Sequence, residues 1–398
     1  VVGSTTINVI NQGPSEAEEV ESTADVVGSL LRPTATQPSV TATEDTYFSG
    51  VVGTFIDANS TPSPQNFRIT IDWGDGLPQS AGVISGYTVL AGGGVQYTIS
   101  GSHTYLNSLP FGATGSGTPG PQNGTYPINI NIKDVNITNG TDGDGLNLAN
   151  TASVLDRALS VSGALDSASD SGVSNSDAIT NVNVPTFHGT ASEGYAHIYV
   201  YATPTGSGVP VLLGGTQADG TGAWSFTQPA ALADGSYTIS AQAVDRFGHT
   251  LSNVTVVTPT LVIDTVGPKI ANVDFDRVNG EIIVTYVDLG GVNNAGVGLN
   301  QATLADANNY VFKLTYSPFK TSRFPKFRVT SLTTDPGTLV GEQVTTIGLN
   351  NNRPITGGHF LFTARSLDPN NLSGIQDIAG NALDGEFYNY FPSGNNVN

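Results

Sequence analysis

Apolar and polar residues alternate in short runs along most of this chain. YFSGVVGTFI, FRITIDW, GYTVL, VQYTISGSHTY and TYPININIKDV place successive side chains on opposite faces at a period of two, and Gly, Pro, Asn and Ser fill the gaps between them. Roughly seven short strands in one such stretch predict an antiparallel β-sandwich. TNGTDGDGLNLANTASVLDRA breaks the pattern and puts a boundary near Asp156. A second series follows, with VPTFHGTA as its first strand, then AHIYVYAT, VPVLLGGTQ, AWSFTQPA, GSYTISAQAVD and NVTVVTPTLVI. It stops at IDTVGPK, where Gly267 and Pro268 mark a second boundary. A third runs from IANVDF and EIIVTYVD through YVFKLTYS, FRVTSLT and HFLFTARS to DIAGNALDGEFYNYF. Long helical periodicity is almost absent, so the fold class is all-β.

Composition sharpens this picture in three ways. At 398 residues the chain has room for several cores. Its 14 basic against 33 acidic residues give a net charge of -19, which disfavours nucleic acid and anionic bilayers as partners and suits a secreted module or carboxylates neutralised by divalent cations. With no Cys, disulfides and thiolate metal sites are excluded, which leaves packing, turns and oxygen-ligated metals. The absence of Met predicts a fragment of a longer precursor, and neither a membrane span nor a signal peptide can be read in the sequence.

Candidate chemistry is confined to carboxylates. LDSASDSGVSNSDAITN carries Asp166, Asp170 and Asp177 without a Lys or Arg. Its spacing and its Ser and Asn oxygens point to a calcium loop, with a solvated linker as the alternative. The offsets are not those of an EF-hand. TDGDG adds Asp142 and Asp144, and QDIAGNALDGE adds Asp377 and Asp384; both are calcium candidates that tight Asp-Gly turns also explain. Asp72 and Asp75 in DWGDG lie on a strand and the turn after it, where no cleft sets them face to face as glycosidase carboxylates. The isolated histidines 103, 188, 197, 249 and 359 give no zinc pattern. KLTYSPFKTSRFPKFR, residues 313 to 328, is a basic exception that reads as a solvated hairpin, a surface for an acidic polysaccharide or a contact with the acidic second module.

FRITIDWGDGLPQSAGVISG, SGSHTY and GTYPININIKD together resemble the polycystic-kidney-disease-type sandwich of bacterial surface proteins. That resemblance implies Trp73 in the core, a turn at Asp75 and Gly76, and His103 and Tyr105 at the start of a late strand. The stretch from DSASDSGVSNSDAITN through GTGAWSFTQPAALADGSYTISAQAVDRFGH to VIDTVGP is similar to the repeated immunoglobulin-like modules of giant bacterial adhesins, and GIQDIAGNALDGEF resembles another bacterial immunoglobulin-like class. These likenesses imply three tandem immunoglobulin-like β-sandwiches over 38–155, 156–265 and 266–398, after a linker or the end of a preceding module at 1–37. They further imply a setting outside the cell, neighbouring modules of the same chain as partners, and calcium in loops and at junctions. On that basis Glu193, Asp245 and Asp264 group around an interdomain Ca2+.

The expected function is a non-catalytic spacer or stalk of a secreted or cell-surface protein, stiffened by calcium. The alternative is a recognition module for a surface glycan or protein, with Tyr195, Tyr199 and Tyr201 sharing strand parity as a platform. No nucleophile, base and orienting residue form a recognisable set, so an enzyme is not expected.

Overall fold

The alternation in TYPININIKD becomes β7 (Gly124–Asp134), in which Tyr126, Ile128, Ile130 and Ile132 are buried and Asn129 is exposed between them. The computed structural model describes residues 30–110, 119, 122–135, 145–289, 296–316, 327–337, 341–355, 357–366 and 374–385. Asp142, Asp144, residues 1–29 and most of the basic segment 313–328 lie outside the described residues. The chain divides into two compact units, Val1–Ala158 with Phe247–Thr250, and Leu159–Arg246 with Leu251–Asn398.

In unit 1, β1 (Leu31–Pro33), β2 (Val40–Thr43), β3 (Phe48–Asp57), β4 (Phe67–Asp72), β5 (Ser80–Val89), β6 (Val95–His103), β7 and β8 (Gly145–Leu155) form one sheet in the order β1-β3-β6-β5-β4-β7-β8-β2. Its two halves pack face to face. A Cβ on Gly53 of β3 would meet Leu148 and Ile130 at 2.7 and 2.8 Å, so glycine is what lets the strands approach. β8 corrects the reading that the strand pattern ends before it: Leu148, Ala152 and Val154 are buried, but Asn, Thr and small residues separate them too widely to show as alternation.

Trp73, at 1% exposure, sits in this core as expected. Its indole stacks on His103 with ring centroids 4.9 Å apart, and its Nε1 donates to Ser80 Oγ at 2.8 Å. The Tyr105 hydroxyl donates to Trp73 O at 3.2 Å. His103 and Tyr105 do not open a strand, however: His103 is the last residue of β6 and Tyr105 lies beyond it. Their rings close the end of the core over Trp73.

Unit 2 contains two cores. The first lies between a sheet of β9 (Val161–Leu165), β11 (Thr186–Ala191) and β14 (Ala223–Thr227) and a sheet of β10 (Ile179–Thr180), β12 (His197–Pro204), β13 (Val211–Gln217), β15 (Gly235–Val244) and β16 (Thr255–Ile263). Phe187, Trp224, Ile198, Val200, Ile239 and Leu261 fill it. β9 and β10 precede VPTFHGTA, which was expected to supply the first strand. The acidic stretch is therefore the crossover that carries the chain from one sheet to the other, from β9 to β10.

The second core uses β17 (Lys269–Asp276), β18 (Glu281–Val287), a helical turn α1 (Gln301–Leu304), β19 (Tyr310–Tyr316), β20 (Val329–Pro336), β21 (Glu342–Leu349) and β22 (His359–Ala364). The sheet order is β17-β18-β21-β20, with β19 and β22 paired separately. Ile282, Val284, Tyr286, Ile347 and Leu304 are enclosed, and Phe312 stacks on Phe360 beside them. Alternating antiparallel strands around separate apolar cores make the chain an all-β array of immunoglobulin-like sandwiches.

Candidate metal centre

Three carboxylates from three separate elements of unit 2 converge. Asp264 directly follows β16, and its N–H donates to Thr180 O at 3.0 Å. Asp288 directly follows β18, and its N–H donates to Gly341 O at 3.0 Å. Asp377 lies in a turn closed by the Gln376–Ala382 bridge and by its own N–H to Asn381 O at 3.1 Å. All three are fully buried, and one oxygen of each lies within 4.8 Å of the others. Among the described residues they are the group of three acidic side chains that approach so closely.

Amide donors hold each carboxylate in place. Asp264 accepts from Val266 N at 3.1 Å and Val297 N at 3.2 Å, and Asp288 from Gly298 N at 2.8 Å. Asp377 accepts from Asn381 through both its N–H and its side chain, each at 2.7 Å. The same Asn381 amide donates to Asp264 O at 2.8 Å, which ties the turn to the end of β16. Gly296, at φ +65°, passes so close that a Cβ would lie 2.3 Å from Asp288 Cγ.

Burial is costly for charges of one sign. It pushes Asp264 up to about 7, with the charge of Asp288 adding to the effect. Burial also pushes Asp377 up to about 7, although the two Asn381 bonds pull the other way. Three such groups are stable only if protons or a cation neutralise them. Their donor atoms are all hard oxygens, which fits Ca2+ or Mg2+ and not a metal that prefers sulfur or imidazole.

Two of these residues, Asp264 and Asp377, are among those singled out in the sequence. Asp288 was missed, although an Asp between an alternating strand and LGG marks a strand end entering a turn. Asp384 is buried in the strand bridge to Lys269, with its N–H on Pro268 O. In the acidic crossover each carboxylate accepts a backbone N–H, Asp166 and Asp177 from two residues on and Asp170 from across the loop. Asp166 accepts from Ala168 N and lies 3.4 Å from His188 Nδ1, buried Asp170 accepts from Ala178 N, and exposed Asp177 accepts from Ile179 N. Burial, with Asp177 nearby, raises Asp170. Glu193 lies 3.9 Å from Arg246 Nε, and Asp245 is buried just after β15.

The crossover also docks on the Asp377 turn. Val173 N donates to Ile378 O at 3.0 Å, and Ser171 Oγ lies 2.8 Å from Ala379 O. Gly172, at φ +93°, leaves no room for a Cβ, which would sit 2.1 Å from Ile378 O.

Residues 158–265 match the bacterial Ig-like domain family. Among solved structures the chain is similar to the tetra-tandem repeat in the extending region of a large adhesion protein, at 15% identity over 85% of this chain and 72% of that one, with a TM-score of 0.32. It is also similar to the FN1-FN3 domains of chicken CNTN1, at 9% identity over 90% of this chain and 95% of that one, with a TM-score of 0.21. No curated protein matches the chain.

Proposed function

We propose that this chain is a non-catalytic spacer segment of an extracellular bacterial surface protein, stiffened by calcium where its second and third sandwiches meet. The observation that carries this reading is the buried triad of Asp264, Asp288 and Asp377. One ligand ends the last strand of the Ig-like segment, and the other two belong to the strands and turns that follow. A cation shared by the three would neutralise their mutual repulsion and fix the direction in which the chain leaves β16. Direct contacts from the crossover to the Asp377 turn support the same restraint between neighbouring modules.

The division into 38–155, 156–265 and 266–398 belongs to this proposal, supported by three separate core clusters and by the family match at 158–265. The polycystic-kidney-disease-type assignment of the first module is supported by Trp73 in its core next to Asp75 and His103. Asp166, Asp170, Asp177, Glu193, Asp245 and Asp384 are secondary calcium candidates; Asp170 is the buried one in the crossover.

Calorimetric titration of the chelator-stripped chain with calcium, and scattering with and without it, test the proposal. Calcium binding in the wild type that is lost in Asp288→Asn, with a longer and narrower particle when calcium is bound, is the expected result. Absence of binding at millimolar calcium would refute the metal, and a calcium-independent compact particle would refute the spacer.

One observation favours the glycan alternative. Thr70, Asp72, Gln79, Asn129, Asn131 and Asn147 line an open groove of about 500 Å³ on the β4-β7-β8 face. Amides and a carboxylate in such a row suit a chain of hydroxyl groups. Glycan binding that is lost in Asn131→Ala would establish it, and uniform failure across a broad glycan array would remove it.

A further inference from the structure

Unit 1 contains a second meeting of buried carboxylates. Glu44 lies in the turn between β2 and β3, and Asp156 follows the end of β8. Their exposures are 5% and 9%. Three of their four oxygens have donors. Glu44 Oε1 accepts from Arg157 N at 3.1 Å and Oε2 from Ser108 N at 2.7 Å. Asp156 Oδ2 accepts from Gln122 N and from the Thr250 hydroxyl at 2.7 Å. Asp156 Oδ1 is buried with no donor. A buried acceptor in that position is destabilising unless a proton is supplied to it.

We propose that Glu44 carries a proton at neutral pH and donates it to Asp156 Oδ1, so that the two side chains form a carboxyl–carboxylate clasp that opens as the pH rises. One proton resolves both problems at the site: it satisfies the orphaned oxygen and reduces two buried negative charges to one. The clasp joins the β2–β3 turn, the segment carrying Ser108, the loop at Gln122 and the end of β8. Among the described residues, Asp45, Tyr126, Arg157 and His249 beside the pair do not add a cation to it. Asp45 and Tyr126 are acids, Arg157 contributes its backbone N–H while its side chain is exposed, and His249 is engaged by Asn107 at 3.2 Å. Burial, followed by the hydrogen bond with Asp156, pushes Glu44 up to about 8, which agrees with this arrangement.

The direction of the pH effect follows from that shift. Glu44 is raised in the folded state, so its contribution is complete below the ordinary glutamate value of 4.5 and is lost as the pH climbs through about 8. Hydrogen exchange of the full chain in chelator, corrected for intrinsic rates, reads this locally at the amides of Ser108 and Arg157. Their protection is expected to fall by up to about tenfold per pH unit across that window, and to be flat in Glu44→Gln, whose amide donates without titrating. If Glu44→Gln does not fold, carbon-13 NMR of labelled glutamate in the wild type reports the Glu44 carboxyl directly, with its midpoint far above the other glutamates. Flat protection in the wild type, a slope retained in Glu44→Gln, or a Glu44 midpoint in the ordinary range would overturn the proposal. So would protection of these amides that rises with millimolar calcium in the wild type and not in Glu44→Gln, because a cation would then take the proton's place.

Discussion

His103 Nε2 lies 2.7 Å from Asp75 Oδ2, which fixes an imidazole flat against the Trp73 indole at an interplanar angle of 8°. Asp75 does more than turn the chain. It orients the ring that seals one end of the unit 1 core.

His103→Ala is therefore expected to cost unit 1 about 1–3 kcal/mol through lost stacking and an unpaired carboxylate. Asp75→Ala should cost less in a His103→Ala background than in the wild type. Denaturant unfolding of the two single variants and the double variant measures the coupling, and additive losses would show that the two side chains act independently.

Asp264 and Asp377 give the metal-free chain a distinctive pH profile. Both are raised from an ordinary 3.8 to about 7, so their contribution is complete below the lower value and is lost as the pH rises through the higher one. In chelator, the melting temperature of unit 2 should fall from about pH 5 to about pH 8. Calcium competes with those protons, so the rise in melting temperature it produces should be larger at pH 8 than at pH 5. A calcium effect independent of pH would place the binding elsewhere.

Gly296 offers a test of the triad that leaves every charge in place. In Gly296→Ala the new Cβ would collide with Asp288 Cγ at a backbone φ of +65°, displacing the carboxylate or the turn. Calcium affinity by titration is expected to weaken at least tenfold, with circular dichroism unchanged. Affinity equal to that of the wild type would exclude Asp288 as a ligand.

Gly172→Ala should undo the docking of the crossover on the Asp377 turn, because its Cβ meets the carbonyl of Ile378. A loss of about 1–3 kcal/mol and faster exchange of the Val173 amide are expected. Unchanged exchange would mean that the contact carries no stability.

Local pattern made much of the fold legible. β3, β4, β6 and β7 alternate clearly, and Trp73 reads as core because it ends such a run. β8 escaped because Asn and Thr dilute its three buried residues, and β10 because two residues carry no periodicity. Two of the three residues of the candidate site were legible. Asp264 and Asp377 stand in turns that acidic loops point to, but their meeting with Asp288 depends on two strand ends and a distant turn reaching one place, and residue spacing contains nothing about that. The acidic crossover was legible only in part. A sequence shows missing Lys and Arg, but not that a backbone N–H holds one oxygen each of Asp166, Asp170 and Asp177, nor that Asp170 Oδ1 is buried without a donor.

Parallel pairing between β2 and β8 sets how unit 1 responds to pulling. Val40–Thr43 lie alongside Ala152–Leu155, the second and the last strands of the unit. In unit 2, Ile179–Thr180 also run parallel to Val262–Ile263, with β9 ahead of them in the other sheet. Tension applied through the two ends of the chain draws such partners past each other along their own axis. The hydrogen bonds then resist together in shear instead of peeling one at a time, and resistance to force is governed by the rate at which this short parallel patch lets go.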